Sequence, residues 1–240
     1  MSRRLLVTGG SQGIGLAIAR GCAAAGDAVT VLSRRPPATP SGLTHLPCDL
    51  REPDGVARAL RLWLDAGGGA ADALIHCAVA YGSNSRHPLV GSTVEEWDAA
   101  MAVTARGLLL VLRELLPALQ RQKTASVIGL SSVVAGEPAP GRIPYAASKA
   151  AARAILDGLA AELAGSAVAV VQLVPTAQVD TPGIRSRRPP DFVPDGYAAA
   201  DSFVAPVLHL LRGGAARHHG ACLRVDPEGR LLQADGTVIA

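Results

Sequence analysis

Short apolar runs recur along the chain and alternate with longer stretches of helical spacing. The apolar runs are RRLLVT at 3–8, AVTVLS at 28–33, LTHLP at 43–47, DALIHCA at 72–78, ASVIGLS at 125–131, VAVVQLV at 168–174 and ACLRV at 221–225. The Ala- and Leu-rich helical stretches cover about 13–25, 53–65, 94–121, 146–164 and 198–212. Apolar strands that alternate with helices are typical of a parallel sheet covered on both faces. The pattern therefore predicts an α/β fold with a doubly wound parallel sheet.

The 240 residues show no internal repeat and no Pro- or Ser-rich linker. We therefore expect one domain over residues 1–240. Two Pro-rich segments, at 34–42 and 180–196, are predicted to be loops of that domain.

Composition narrows the class of protein further. Hydrophobic residues make up 49% of the chain and charged residues 18%, which is typical of a folded globular protein. A net charge of +3, only 3% aromatic residues and no long basic run argue against nucleic-acid binding. The four cysteines form no CxxC pair, and no group of residues has metal-ligand spacing. With no secretory or membrane-spanning apolar segment, a cytoplasmic protein without membrane attachment or metal is expected.

A glycine-rich turn joins the first predicted strand to the first predicted helix. In VTGGSQGIG at 7–15, three glycines have the spacing G-xxx-G-x-G. Phosphate binding needs backbone without Cβ atoms and free N–H groups at a helix start. A tight turn alone would account for the glycines, but their place between strand and amphipathic helix favours a dinucleotide site. The candidate residues for this site are Gly9, Ser11, Gln12, Gly13, Ile14 and Gly15.

The end of the second predicted strand indicates which dinucleotide binds. Ser33, Arg34 and Arg35 stand there, where an NAD site would place an acidic residue on the ribose 2′-hydroxyl. An arginine at this position accommodates the 2′-phosphate of NADP instead. The alternative is a pair of solvated loop arginines. The sequence thus predicts NADP(H) as the cofactor.

One lysine stands out among the basic residues. The chain has 23 Lys and Arg residues, and only Lys123 and Lys149 are lysines. Lys149 follows Tyr145 by four residues in YAASK, so the two side chains share one face of a helix. A compact ammonium with rotatable donors is not replaced by a guanidinium fork. A nearby ammonium would also lower the pKa of a phenol, which favours an acid–base role for Tyr145.

These motifs together resemble one protein family. TGGSQGIG, CDL at 48–50, LSS at 130–132, YAASK at 145–149 and VDTP at 179–182 have the order and spacing of the short-chain dehydrogenase/reductase family. The resemblance covers essentially the whole chain. It implies a Rossmann-type sheet of about seven strands and, usually, a homotetramer or homodimer.

The resemblance also implies roles for individual residues. Tyr145 would exchange a proton with the carbonyl oxygen, Ser132 would orient that oxygen, and Lys149 would hold the nicotinamide ribose. Asp49 would contact the adenine with Leu50 beside it, and Thr181 would touch the nicotinamide carboxamide. Pro175 matches the proline of the family's Pro-Gly pair, and His76 is expected beside the adenosine ribose. No partner with ligand spacing supports His76 as a metal ligand.

Three departures from the family pattern leave the function open. HCAV, from His76 to Val79, replaces the family's Asn-Asn-Ala-Gly, Thr176 replaces the glycine after Pro175, and Thr104 replaces a helix Asn of the proton relay. The leading hypothesis is an NADPH-dependent reductase, or the reverse dehydrogenase, acting on a small-molecule carbonyl/alcohol pair. The alternatives are epimerisation or dehydration on the same scaffold, and a non-catalytic NADP-binding regulatory protein. Arginines 185, 187 and 188 permit an acidic substrate, although solvated loop charges are the commoner outcome.

Overall fold

A twisted parallel sheet forms the centre of the computed structural model, which describes residues 2–37, 39, 42–81 and 87–240. The strands are β1 (Arg4–Thr8), β2 (Ala28–Ser33), β3 (Leu43–Pro47), β4 (Ala73–His76), β5 (Ala125–Leu130), β6 (Val168–Pro175), β7 (Val179–Asp180), β8 (Ala198–Ala199), β9 (Cys222–Val225) and β10 (Leu231–Leu232). Eight of them are ordered β10-β9-β6-β5-β4-β1-β2-β3, and β7 pairs with β8 separately. Only β10 is antiparallel to its neighbour. The predicted Rossmann-type fold is confirmed.

Helices cover both faces of this sheet. They are α1 (Gly13–Ala24), α2 (Pro53–Ala66), α3 (Val94–Ala100), α4 (Gly107–Gln120), α5 (Ile143–Glu162), α6 (Pro182–Arg185), α7 (Val204–His209) and α8 (Ala215–Arg217). A π-helical turn at Met101–Arg106 joins α3 to α4. Short 3-10 turns lie at Leu89–Gly91, Val133–Ala135 and Ala200–Phe203.

The strands bury alternate residues in two separate cores. Leu6 of β1 packs in the core formed with α2, α4 and α5, whereas Leu5 and Val7 pack in the core formed with α1 and α7. Successive side chains of a strand point to opposite faces, so a near-continuous apolar run is needed where both faces are covered. This is the physical reason that the sequence pattern revealed a parallel sheet.

Two predicted helices differ from the observed ones. The stretch 94–121 is helical throughout, but its path includes the π-helical turn. The stretch 198–212 is not one helix, because it starts as β8 and a 3-10 turn, and non-helical backbone at Gly213 (φ 105°) follows α7. In the predicted loops, 180–196 contains the short helix α6. Ala38, Pro40 and Ser41 of the loop 34–42 lie outside the described residues.

The carboxyl ends of the parallel strands meet at one edge of the sheet, where ligands bind in open α/β sheets. That edge gathers the glycine-rich turn after β1, the chain after β4 and β5, and the start of α5. In the part of the chain that the structure describes, no helix has the length and apolar character to cross a bilayer. Nor do those residues contain a cluster of three or more His, Cys, Asp or Glu side chains suited to a metal ion.

Candidate active site

The glycine-rich turn is packed too tightly for side chains. Gly9 has φ 68°, and a Cβ on it would lie 2.6 Å from Cα of Ala78 in the chain after β4. A Cβ on Gly15 would lie 2.6 Å from the carbonyl oxygen of Gly9. Gln12 is the N-cap of α1 and makes no side-chain capping bond, so the N–H groups of the first turn remain available. Close backbone and free N–H groups at a helix start fit the phosphates of a dinucleotide.

The carboxyl end of β2 carries positive charge and no acid. Ser33 is buried, and its Oγ donates a hydrogen bond to the carbonyl of Arg35 at 2.7 Å. This bond fixes the turn from which Arg34 and Arg35 extend, exposed. Asp49, the nearby acid after β3, is paired with Arg51 at 2.6 Å, and this pairing holds the pKa of Asp49 below its ordinary value.

The remaining candidates for cofactor contact lie around the same edge. Thr181 caps α6 by accepting a hydrogen bond from Ile184 N at 3.2 Å. Its methyl group would lie 3.2 Å from a Cβ on Gly13, so it packs against the glycine-rich turn. Pro175 is half-buried at the end of β6. Leu50 is only 5% exposed and belongs mainly to the core. Ser11 and Ile14 are half-buried in the turn and the first residues of α1.

The three expected catalytic side chains come from two neighbouring elements. Ser132 follows β5 and begins a 3-10 turn, while Tyr145 and Lys149 lie one turn apart on α5. Burial raises the pKa of Tyr145 to about 12, and interaction with the Ser132 hydroxyl opposes this rise. Lys149 is buried and donates a hydrogen bond from Nζ to the carbonyl of Leu130 at 2.6 Å. Burial lowers the pKa of this lysine to about 8.

The expectation that Lys149 depresses the pKa of the phenol is wrong for this arrangement. The pKa of Tyr145 is raised, because burial outweighs every favourable interaction of its anion. Arg142 and Arg187 are the cations that favour that anion, while the ammonium of Lys149 is bound to a backbone carbonyl. Tyr145 is therefore fully protonated at neutral pH.

A small cavity with both polar and apolar walls lies beside Lys149. His76, Gly129 and Gln172 are in register on three adjacent strands and line this cavity, and the Leu156 side chain packs where Gly129 has no Cβ. The cavity, of about 10 Å³, is also lined by Thr104 and Lys149. This volume is close to that needed for one water molecule. Within the described chain, His76 Nε2 and Gln172 Oε1 are buried without a hydrogen-bond partner.

His76 and Thr104 are thus found beside Lys149. His76 Nδ1 shares a hydrogen bond of 2.9 Å with Thr8 Oγ1, and burial lowers the pKa of the imidazole to about 3. His76, which is expected beside the adenosine ribose, is only 3% exposed and lines the cavity. Thr104 is fully buried in the π-helical turn and accepts a hydrogen bond from Ala80 N at 3.3 Å.

The site also contains an aromatic contact and an arginine that no sequence motif indicates. The ring of Tyr81 lies 5.0 Å from the ring of Tyr145, centroid to centroid. The guanidinium of Arg187 lies 3.6 Å above the Tyr81 ring. Tyr81 belongs to no motif, and three arginines of one loop look alike in sequence, so no local signal distinguished these residues.

Comparison with known proteins agrees with this geometry. The family model described as short chain dehydrogenase matches residues 3–190. The chain therefore belongs to the short-chain dehydrogenase/reductase family, whose members are oxidoreductases that use a nicotinamide cofactor. Members of this family typically bind small-molecule substrates.

Individual relatives have diverse names. A short chain dehydrogenase of Pseudocercospora fijiensis is 35% identical over 182 residues, which span 71% of this chain but 58% of that protein. The 3-oxoacyl-(acyl-carrier-protein) reductase MabA of Mycobacterium tuberculosis is 30% identical over 233 residues, 94% of this chain and 92% of that one. The crystal structure of a short chain dehydrogenase from Burkholderia cenocepacia in complex with NADP aligns with a TM-score of 0.79 and 25% identity, over 95% of this chain and 97% of that chain.

Proposed function

We propose that this oxidoreductase reduces a carbonyl compound with NADPH, or catalyses the reverse oxidation. The observation that carries the proposal is the grouping of three side chains: the Tyr145 phenol interacts with the Ser132 hydroxyl, and Lys149 lies one turn further along α5. A phenol that keeps its proton at neutral pH can donate it to an oxygen that gains negative charge. The name of the mycobacterial relative, a 3-oxoacyl reductase, describes the same class of reaction.

The cofactor part of the proposal depends on two regions of the chain. The turn with Gly9, Gly13 and Gly15 would hold the phosphates, and Arg34 and Arg35 would pair with the 2′-phosphate that distinguishes NADPH. When bound, NADPH supplies the hydride that adds to the carbonyl carbon. The Burkholderia relative binds NADP, which supports the same choice here.

The chain's own residues act on the carbonyl oxygen. As that oxygen gains negative charge, the hydroxyl of Ser132 donates a hydrogen bond to it and Tyr145 transfers its phenolic proton to it. Lys149 has three donors, of which one is bonded to the Leu130 carbonyl. The other two are the candidates for holding ribose hydroxyls and for passing protons onward, and Thr104 lines the cavity beside this lysine.

Removal of the phenolic hydroxyl tests this function. Tyr145→Phe should lower the rate of NADPH oxidation with a reducible ketone by a factor of about 100 or more, because general acids contribute on that scale. NADPH affinity, measured by fluorescence titration, should stay nearly unchanged. Tyr197→Phe removes a hydroxyl from a tyrosine that packs on Phe192, and serves as the matched control.

Other outcomes identify the alternatives. Bound NADPH with no oxidation across a panel of ketones would favour a non-catalytic or regulatory protein. Turnover without net NADPH oxidation would favour epimerisation or dehydration with Tyr145 as acid and base. Full activity of Tyr145→Phe would contradict the proposed mechanism.

We also propose a cytoplasmic location. Cys22, Cys48, Cys77 and Cys222 are free thiols. Burial raises the pKa of each, which is typical of unreactive thiols in a reducing compartment.

A further inference from the structure

Three arginines on and after α6 have different surroundings. Arg185 binds Asp180 with two hydrogen bonds, at 2.7 and 2.6 Å, so its charge is already paired. Arg188 lies 5.5 Å from the ring centroid of Phe192. Arg187 instead lies 3.6 Å above the ring of Tyr81. The three side chains therefore cannot be grouped as one solvated patch.

The guanidinium of Arg187 keeps its hydrogen-bonding capacity. The residue is half-buried, and its side chain has neither an acidic partner nor a hydrogen bond among the residues that the structure describes. Stacking uses the flat face of the group and leaves the N–H donors along its edge free. These donors are available to a ligand that has oxygen acceptors.

Arg187 is also close to the reacting group. Tyr81 contacts both the Arg187 guanidinium and the ring of Tyr145, whose centroid is 5.0 Å away. The charge of Arg187 acts on the phenol of Tyr145, and so does that of Arg142. Arg187 is thus close enough to the phenol for its charge to matter there.

We propose that the natural substrate carries an oxyanion, such as a carboxylate or sulfonate, a few bonds from its carbonyl group, and that Arg187 binds it. Tyr81 orients Arg187 by stacking, which keeps the charge near Tyr145. A guanidinium edge matches the two oxygens of a carboxylate and makes a bidentate pair. This inference rests on the proposed reductase function, because it concerns a second group of the substrate whose carbonyl that function reduces.

Two compounds that differ only in their anionic group test the contribution of the substrate's negative charge. 3-Oxobutanoate and methyl 3-oxobutanoate share the ketone and differ in the anionic group. The wild-type enzyme should show a kcat/KM at least about tenfold higher for the acid than for the ester, since hydrogen bonds to charged groups are the strong ones. Arg187→Met should remove this preference by raising the KM for the acid, with little change for the ester.

Arg188→Met is the control variant, because it removes the neighbouring charge without touching Tyr81. It should retain the preference for the acid. Equal kcat/KM values for acid and ester in the wild type would overturn the proposal. If Arg188→Met and Arg187→Met lost the preference for the acid equally, the proposal would be overturned as well. The preference would then depend on the total charge of the loop and not on Arg187.

A binding measurement separates this inference from the proposed function. Butanoate cannot be reduced at a ketone, and calorimetry can follow its binding to the protein saturated with NADP+. Binding should weaken at least about tenfold in Arg187→Met and persist in Arg188→Met. If neither ketone is reduced but this pattern holds, the reductase function fails and the anion site stands. Butanoate binding that is indifferent to Arg187→Met would overturn the anion site.

Discussion

At the scale of single residues, burial separates the protonation behaviour of Tyr145 and Lys149. The pKa of the phenol rises to about 12, whereas the pKa of the ammonium falls to about 8. Both shifts have one cause, since a low-dielectric surrounding disfavours the charged form of any group. The site thus contains a tyrosine that stays protonated and a lysine that can gain or lose a proton near physiological pH.

These two values predict the pH dependence of reduction. Tyr145 keeps its proton throughout the accessible range, so the rate should fall where Lys149 loses its charge, above about pH 8. The pH profile of kcat/KM in the reductive direction checks this, with buffers of constant ionic strength. Lys149→Arg stays charged and should have no such alkaline limb, whatever its residual rate. If the kcat/KM of the wild type fell only near pH 10, a group other than Lys149 would be responsible for the decrease.

The lowered pKa of His76 leads to a prediction about the stability of the protein in acid. Its folded pKa of about 3 is lower than the ordinary value of 6.5, so the unfolded chain takes up the proton first as pH falls. The free energy of unfolding should therefore decrease between pH 6.5 and about 3, by about 1.4 kcal/mol per pH unit from this residue. Urea unfolding at a series of pH values measures the slope. His76→Asn should flatten it, and an unchanged slope would assign the acid sensitivity elsewhere.

At the scale of elements, the strands and helices of the sheet were predictable because each carries its own periodic signal. β10 has two residues and too little sequence for a pattern. The π-helical turn within 94–121 was also invisible, since its apolar spacing is nearly that of an α-helix. The cavity beside Lys149 depends on the register of His76, Gly129 and Gln172, and no property of one strand reveals which residues its neighbours place beside it.

The π-helical turn carries a prediction about Thr104. Its hydroxyl accepts a bond from Ala80 N and lines the cavity beside Lys149, where it can support proton exchange. Thr104→Val keeps the shape and removes the hydroxyl, so kcat should drop about fivefold, the equivalent of one net hydrogen bond of about 1 kcal/mol. Thr104→Asn should be neutral or slightly faster. An unchanged kcat and solvent isotope effect in Thr104→Val would show that proton exchange uses another route.

The end of β2 carries a prediction about cofactor choice. Arg34 and Arg35 are exposed there, and Ser33 fixes their turn. A charge-assisted contact with the 2′-phosphate is worth about 1.5–3 kcal/mol, so NADPH should bind about ten- to a hundredfold more tightly than NADH. Arg34→Asp should shift the preference toward NADH by repelling the phosphate. Fluorescence titration measures the affinity of the protein for both cofactors. Equal affinities in the wild type would contradict the prediction.

At the scale of the whole molecule, two exposed leucines on neighbouring helices are candidates for a contact between chains. Leu62 of α2 and Leu109 of α4 are 63% and 51% exposed, although both helices pack against each other. An ion pair of 3.5 Å between Arg61 and Glu114 links the two helices beside these residues. Contiguous exposed apolar patches are typical of contact surfaces between proteins, and we test whether these two leucines belong to one. The homodimer or homotetramer that the family resemblance implies would cover this face.

A single charged residue introduced on α4 tests whether chains associate through this face. Sedimentation equilibrium should give two or four times the mass of the chain for the wild type. Leu109→Glu should shift the population toward the monomer, because burying an unpaired carboxylate in an interface is strongly unfavourable. Val193→Glu places the same charge on a side chain that is 75% exposed in the loop 180–196, and should leave the mass unchanged. A monomeric wild type would contradict the prediction, and dissociation by both variants would show that net charge, not the helical face, governs assembly.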